Sequence, residues 1–184
     1  VRGRTGEVAF YPLVENRHRG GILRRSLAPA PGASKALQKK AEAYALRAME
    51  ALDYVGVLAL EFFQVGEELL FNEMAPRVHN SGHWTIEGAE TSQFENHLRA
   101  VLGLPLGSTA PRGQSAMVNL IGEKPPFAEV LKVEGARLHW YGKAVRPGRK
   151  VGHLTLRRDG LEALEEGLAR LSRPVSELPR ERRL

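Results

Sequence analysis

The run FNEMAPRVHNSGHW, from Phe71 to Trp84, packs one acid, one arginine, two histidines, two asparagines and a serine into a single short stretch. Polar chemistry that dense is foreign to a core element. Leu69-Leu70-Phe71 lead into it as a strand, so the reactive groups stand at a strand end, where folds mount functional side chains on a rigid support. Glu61 lies in the strand-forming run Val57-Leu58-Ala59-Leu60-Glu61-Phe62-Phe63. A carboxylate buried there is costly unless it meets a cation or hydrogen-bond donors. Glu61 and Glu73 as a pair, with Asn72 offering a further oxygen, suit a hard cation such as Mg2+ and the phosphate oxygens it carries. A structural ion pair between Glu61 and Arg77 is the alternative. Zinc is a lesser one, because His79 and His83 stand in a glycine-containing loop and not on an evident helix. Arg77, His79, Asn80 and Ser81 can each donate to an anionic oxygen, which reads as an anion site against the alternative of a solvated polar loop.

Two acids can share a cation only if they share a face. In an antiparallel hairpin, residues directly opposite point the same way. A two-residue loop Gly66-Glu67 with regular pairing sets Glu61 opposite Asn72 and sends the acids to opposite faces. Metal binding therefore predicts an odd-length loop, or a bulge near Gly66.

A second cluster, HWYGKAVRPGRKVGH from His139 to His153, surrounds Pro147-Gly148 with Lys143, Arg146, Arg149 and Lys150. Such a turn is either a monophosphate cradle or a solvated basic loop. Trp140 and Tyr141 read as packing residues.

The elements that must position these groups follow from pattern and punctuation. Val8 to Val14 reads as a strand, Asn16 to Gly21 as a polar loop, and Ile22 to Leu27 as a short strand. Ser34 caps a helix to about Asp53 with Leu37, Ala41, Tyr44, Ala45, Ala48 and Leu52 as its stripe. Val55 to Val65 reads as a strand buried on both faces, with Glu68 to Ala75 as its hairpin partner. Ser92 and Glu95 have capping-box spacing for a helix that carries Phe94, Leu98, Val101 and Leu102 on one side and stops at Gly103. Residues 104–114 form the boundary, dividing 1–107 from 108–184. Strands follow at 116–121, 137–141 and 151–156, then a helix capped by Asp159, and a frayed basic tail from Arg173. The layout is α+β: a larger antiparallel sheet with helices, then a small β-rich lobe.

The 184 residues are 42% hydrophobic and 26% charged, as in an ordinary globular protein. No run is long enough to span a bilayer. The absence of cysteine excludes thiol chemistry and disulfides, and fits a cytoplasmic protein. The net charge of +6 admits a nucleic-acid binder, but the basic residues are mostly scattered and no nucleic-acid motif is present, so small phosphorylated ligands explain the charge better. Val1 is not an initiator methionine, and VRGRTGEVAFYPL reads like the middle of a hairpin turning at Thr5-Gly6-Glu7. The chain is therefore expected to be a fragment of something longer.

Taken together, Phe10-Tyr11-Pro12-Leu13 with Asn16 and His18, Gly21-Ile22-Leu23-Arg24, Tyr54-Val55-Gly56-Val57, Glu61-Phe62-Phe63, the run from Asn72 to Trp84, Ser92-Gln93-Phe94-Glu95, and Val145 to His153 resemble the second half of the 5-(carboxyamino)imidazole ribonucleotide synthases. These are ATP-grasp enzymes of purine biosynthesis. The resemblance covers the chain to about residue 156, and the APRVHNSGHW run is its most specific part. It implies the C-terminal portion of an ATP-grasp fold, ATP and Mg2+ as cofactors, and a ligase reaction. In that reaction ATP phosphorylates bicarbonate to carboxyphosphate, which carboxylates the amine of aminoimidazole ribonucleotide directly or through carbon dioxide. By motif, Glu61 and Glu73 hold magnesium, with Asn72 and His18 near the nucleotide. Arg77, His79 and Asn80 hold bicarbonate and its oxyanion, while Lys143, Arg149 and Lys150 grip the substrate's ribose phosphate. The resemblance also implies a homodimer. Members of the family are considerably longer than this chain, so the 184 residues alone are expected not to turn over. The alternatives are another ATP-grasp carboxylate–amine ligase, of the formate-using glycinamide ribonucleotide transformylase type, and a non-catalytic interaction domain.

Overall fold

The computed structural model describes residues 1–172, 174 and 175. Its chain opens on the expected turn: Arg2 bridges Val8, and the Gly3 amide donates to the Glu7 carbonyl at 2.9 Å. The strand expected from Val8 to Val14 does not form. Strand β1 is Glu15–Arg19 instead, in the stretch that reads as a polar loop. It lies at the edge of a sheet, where no apolar face is required and polar residues are tolerated. Gly20 and Gly21, at φ 59° and 72°, make the two-residue turn to β2, Ile22–Ala28.

Helix α1, Lys35–Ala51, starts where the Ser34 hydroxyl accepts the Leu37 amide at 3.0 Å. Leu37, Ala41 and Met49 are buried on it, while Leu52, expected in the stripe, falls past its end and is exposed. Strands β3 (Ala59–Val65) and β4 (Glu68–Ala75) pair only with each other among the described residues. The expected strand buried on both faces is therefore not found. Pairing begins only at Ala59, and Phe63 and Val65 are each 61% exposed, because α1 covers one part of the hairpin around Phe62 and Leu69.

After the strand end come a 3₁₀ turn at Asn80–Gly82, the short helix α2 (Thr85–Gly88) and α3 (Gln93–Leu102). Ser92 caps α3 through the Glu95 amide, but the Glu95 carboxylate pairs with Arg99, so the reciprocal half of a capping box is missing. Gln93, Asn96 and Ala100 face inward, while Phe94, Leu98, Val101 and Leu102 lie outward. Strand β5 (Gln114–Ile121), helix α4 (Phe127–Leu131), strands β6 (Ala136–Trp140) and β7 (Lys150–Arg158), and helix α5 (Leu161–Leu171) complete the α+β fold. Asp159 does not cap α5. Gly160 holds that position, and the Asp159 carboxylate pairs with Arg157 at 3.0 Å. Of the tail expected from Arg173 on, Val175 is buried against the core; Arg173 and everything past Val175 lie outside the described residues. Among the described residues, no helix is long and apolar enough to cross a membrane.

The strands β1-β2-β5-β7-β6 form one antiparallel sheet in that spatial order. Since β2 pairs with β5, Arg25 opposite Val118, the sheet runs unbroken across residues 104–114. Alternation divides its faces. Ala116, Val118, Leu120, Leu138, Leu154 and Leu156 meet α5 and Val130 of α4 in the main core. The other face carries Met117 among Trp84 and Ala89, and then a polar row in which His139 stands opposite His153 and His153 opposite Asn119. The site lies over this row.

Leu156 is fully buried between the sheet and α5, packed against Gly167 closely enough that a Cβ there would meet it at 2.7 Å. Leu156→Ala is expected to destabilise the fold by about 3 kcal/mol, read from the midpoint of denaturant unfolding with the slope unchanged.

Candidate functional site

The β3–β4 hairpin has a two-residue loop, Gly66-Glu67, with Val65 opposite Glu68. Neither the odd-length loop nor the bulge near Gly66 occurs. The bulge lies farther along: Phe62 pairs with Phe71 and Glu61 with Glu73, so Asn72 is the extra residue. One added residue inverts the facing of everything beyond it. It brings Glu61 and Glu73 directly opposite each other on one face.

His79 completes the group. Its Nδ1 lies 3.7 Å from Glu61 Oε1 and its Nε2 lies 3.6 Å from Glu73 Oε1. One donor atom from each of the three falls within 4.8 Å of the others. The Glu61 and His79 side chains are only 12% and 13% exposed, whereas Glu73 is 57% exposed. Two carboxylates on one face, one shielded and one open to solvent, fit a hard divalent cation that keeps some ligand positions for phosphate or water. The ion pair of Glu61 with Arg77 is not made, since the Arg77 guanidinium donates to the Val78 carbonyl at 3.0 Å. Burial lowers the His79 pKa and Glu61 opposes that shift. His79 Nδ1 and the Ser81 hydroxyl lie 2.8 Å apart.

The loop is held in place from outside. Gln93, buried at the start of α3, accepts the His79 amide at 2.9 Å and donates to the His79 carbonyl at 2.7 Å. A Cβ at Gly82 would meet Gln93 Oε1 at 2.6 Å, so Gly82 is small because the clamp passes against it. The Thr85 hydroxyl donates to the Gly82 carbonyl and accepts the Gln93 amide. Farther along, Asn80 and Asn119 exchange two hydrogen bonds, at 2.7 and 3.0 Å, and Lys150 Nζ donates to Asn80 Oδ1 at 2.5 Å. Lys150 therefore meets the loop that follows β4, and it is half-buried. Burial first, then Lys143, lowers its pKa. Lys143 lies over the Tyr141 ring at 5.2 Å, and Arg149 bonds the Ala144 carbonyl of its own exposed turn. His18, exposed on β1, lines a cleft of about 520 Å³ together with Glu61, Asn72, His79 and Ser81.

The structure thus brings Glu61, Glu73 and His79 into one group and Asn80 and Lys150 into another, and sets His18 and Asn72 along the cleft. Lys143 and Arg149 stay in the open turn. Sequence reasoning missed Gln93 and Asn119 as supports. A lone asparagine in the apolar run Ala116 to Ile121 is the one signal that marks Asn119. It also missed the ring column under the loop. His139 and His153 stack at 4.3 Å, and His83 lies 4.8 Å from His153. Burial pushes the His83 pKa down to about 4 and the His153 pKa down to about 3, with Lys150 next in effect on His83 and His83 next on His153.

Two measurements check this arrangement. Gln93→Ala strands the amide and carbonyl of His79 and is expected to cost about 2 kcal/mol in denaturant unfolding. His83 and His153 bind protons more readily unfolded than folded. Their contribution is present above the ordinary histidine pKa of 6.5 and is lost as pH falls from there toward 4 and 3. The unfolding midpoint is therefore expected to decline steadily below pH 6.5, and a midpoint flat down to pH 4 would contradict it.

The ATP-grasp domain model matches residues 1–94, and that of the phosphoribosylaminoimidazole carboxylase C-terminal domain matches residues 115–167. The N5-carboxyaminoimidazole ribonucleotide synthase of Pseudomonas aeruginosa is 63% identical over 157 residues, which cover 85% of this chain and 43% of that protein. Its counterpart in Vibrio cholerae is 54% identical over 178 residues, covering 96% of this chain and 46% of that protein. The chain thus spans about half the length of the curated relatives it matches. Among solved structures, the N5-carboxyaminoimidazole ribonucleotide synthetase of Thermus thermophilus superposes with a TM-score of 0.96 at 96% identity, over 98% of this chain and 50% of that one. The Aspergillus clavatus N5-carboxyaminoimidazole synthase, solved with ADP and 5-aminoimidazole ribonucleotide, superposes with a TM-score of 0.87 at 37% identity, over 94% of this chain and 49% of that one. With paired acids on a bulged hairpin and a polar loop at its strand end, the chain belongs to the ATP-grasp family, and it is similar to about half the length of N5-carboxyaminoimidazole ribonucleotide synthases.

Proposed function

We propose that this chain forms part of a ligase that uses ATP and bicarbonate to carboxylate the amine of 5-aminoimidazole ribonucleotide in purine biosynthesis. The observation that carries the reading is the close group Glu61, Glu73 and His79 beside the contact of Lys150 with Asn80. In the reaction the γ-phosphoryl group of ATP passes to a bicarbonate oxygen, giving carboxyphosphate and ADP. The substrate amine then bonds to the carboxyl carbon, phosphate leaves with the bonding pair of the broken C–O bond, and the amine gives up a proton.

Glu61 and Glu73, with Asn72 beside them, are the residues to hold Mg2+, which when bound neutralises charge on the ATP phosphates. His18 stands where the cleft can meet the nucleotide. Arg77, His79 and Asn80 bind and orient the bicarbonate-derived anion. Donors held rigid before the reaction stabilise developing charge without having to reorganise, which is what the Gln93 clamp provides. Lys143, Arg149 and Lys150 supply positive charge for the substrate's phosphate, with Lys150 anchored between the two groups by Asn80. The same reading divides the chain near residue 107 into an ATP-grasp portion and a C-terminal domain, and expects a homodimer in the cytoplasm. Catalysis here is positioning and charge stabilisation, so each group counts through geometry.

In a full-length polypeptide carrying these residues, ADP release is expected to require bicarbonate, aminoimidazole ribonucleotide and Mg2+ together, and chelation of the metal should abolish it. Glu61→Gln and Glu73→Gln are expected to lower kcat/KM by roughly a hundredfold or more, equivalent to about 3 kcal/mol of lost transition-state stabilisation. The isolated 184 residues are expected to show no turnover. Formate-dependent turnover, or activity of the isolated chain, would overturn the reading.

A further inference from the structure

Asn80 is at the centre of a set of donor and acceptor constraints that reaches His83. The Leu23 backbone carbonyl can only accept, and Asn119 Nδ2 donates to it at 2.9 Å. That contact fixes the orientation of the Asn119 amide, whose Nδ2 also donates to Asn80 Oδ1 at 2.7 Å and whose Oδ1 accepts Asn80 Nδ2 at 3.0 Å. Lys150 carries donors only, and its Nζ demands Asn80 Oδ1 a second time. Two independent partners thus put Asn80 Nδ2, a donor, 3.1 Å from His83 Nδ1. A hydrogen bond there needs His83 Nδ1 to be an acceptor, so His83 is the neutral imidazole protonated at Nε2.

The surroundings of His83 favour that form. Its ring lies between Phe94, stacked at 5.5 Å, and His153 at 4.8 Å. His153 stacks on His139, Tyr141 Oη lies 2.7 Å from His153 Nδ1, and His139 Nε2 lies 2.7 Å from Glu87 Oε1. The charged and titratable groups around the column are Lys150 and His153 of β7, His139 of β6 and Tyr141 beyond its end, Glu87 of α2, and His79 of the loop. Glu87, the acid of the set, bonds at the far end of the column, at His139. A proton on His83 would face the Lys150 ammonium and bring two donors together at Asn80 Nδ2.

We propose that His83 is a positioning residue: as a neutral acceptor, held in the ring column, it takes the second N–H of Asn80 and so steadies the amide whose Oδ1 Asn119 and Lys150 share. Loss of the acceptor strands that N–H in a part-buried site and loosens the amide, weakening the hold of Oδ1 on Lys150. The functional consequence rests on the proposed roles of Asn80 and Lys150, whereas the tautomer does not.

The test uses the full-length protein. With ¹⁵N-labelled histidine, long-range ¹⁵N–¹H spectra are expected to show His83 with a bare Nδ1 and a protonated Nε2 throughout pH 8 to 5.5. A proton on Nδ1 in that range would overturn the proposal whether or not the proposed reaction is correct. In kinetics, His83→Phe keeps a ring in the column but removes the acceptor. It is expected to raise KM for bicarbonate and aminoimidazole ribonucleotide by about tenfold while leaving KM for ATP within about twofold. His83→Gln, whose side-chain oxygen can accept from Asn80, is expected to recover most of the loss. Equal losses in both variants, or a loss shared by ATP, would reduce His83 to a packing residue and overturn the proposal. If His83→Phe does not fold, the glutamine variant and the tautomer decide it. If the parent protein turns over no bicarbonate at all, the proposed function fails, and the tautomer alone decides the inference.

Discussion

One extra residue in β4 governs the site. Side chains along a strand alternate with a period of two, so an unpaired Asn72 turns Glu73 from the face opposite Glu61 to the same face. Two carboxylates side by side repel unless a cation or a donor lies between them. His79 approaches both, and the geometry accepts a divalent ion there. The ladder resumes beyond the bulge, Glu61 with Glu73, Leu60 with Met74 and Ala59 with Ala75, and the chain then leaves the hairpin for the His79 loop. Without it the same residues would form an ordinary amphipathic hairpin with one acid on each side.

The loop after the bulge owes its shape to residues distant in sequence. Gln93 fixes the backbone of His79, Thr85 ties Gly82 to the start of α3, and Asn119 fixes Asn80. Each is buried, and the side-chain polar atoms of each bond the loop, with Thr85 also accepting from Gln93 and Asn119 also donating to Leu23. Buried polar networks of this kind specify one arrangement, since any alternative leaves a donor or acceptor unpaired in a low-dielectric setting. The network reaches the loop only because β2, β5, β7 and β6 form one sheet. The polar row His139–His153–Asn119 crosses three strands of that sheet and lies under the loop as a floor.

Burial of imidazoles in that floor has an electrical consequence. Lys150 already brings positive charge to the loop, and a proton on His83 beside it would add more, while Glu87, the acid of the column, is engaged at His139. Keeping His83 and His153 neutral leaves the positive charge there on Lys150, at its contact with Asn80. A neutral, tautomerically fixed ring can also direct hydrogen bonds, which a freely titrating one cannot.

The residue types and their spacing determined much of this by themselves. The acids, the anion loop and the basic turn stand out because polar residues of those kinds are costly in strands and apolar runs. Ser34, Ser92, Gly103 and most of the later strands announce their elements through local chemistry. The family is legible in the run from Asn72 to Trp84. Local chemistry misled where context overrides propensity: β1 forms in a polar stretch because an edge strand needs no apolar face, and Asp159 loses its cap to an arginine partner. Tertiary structure alone decided three things. It put the bulge at Asn72 and not at the turn, because strand pairing depends on both strands at once. It brought Lys150 to Asn80, seventy positions apart, because sheet order is a long-range property. And it assembled the Gln93 clamp and the histidine column, because a hydrogen bond between distant residues leaves no periodicity in the chain that makes it.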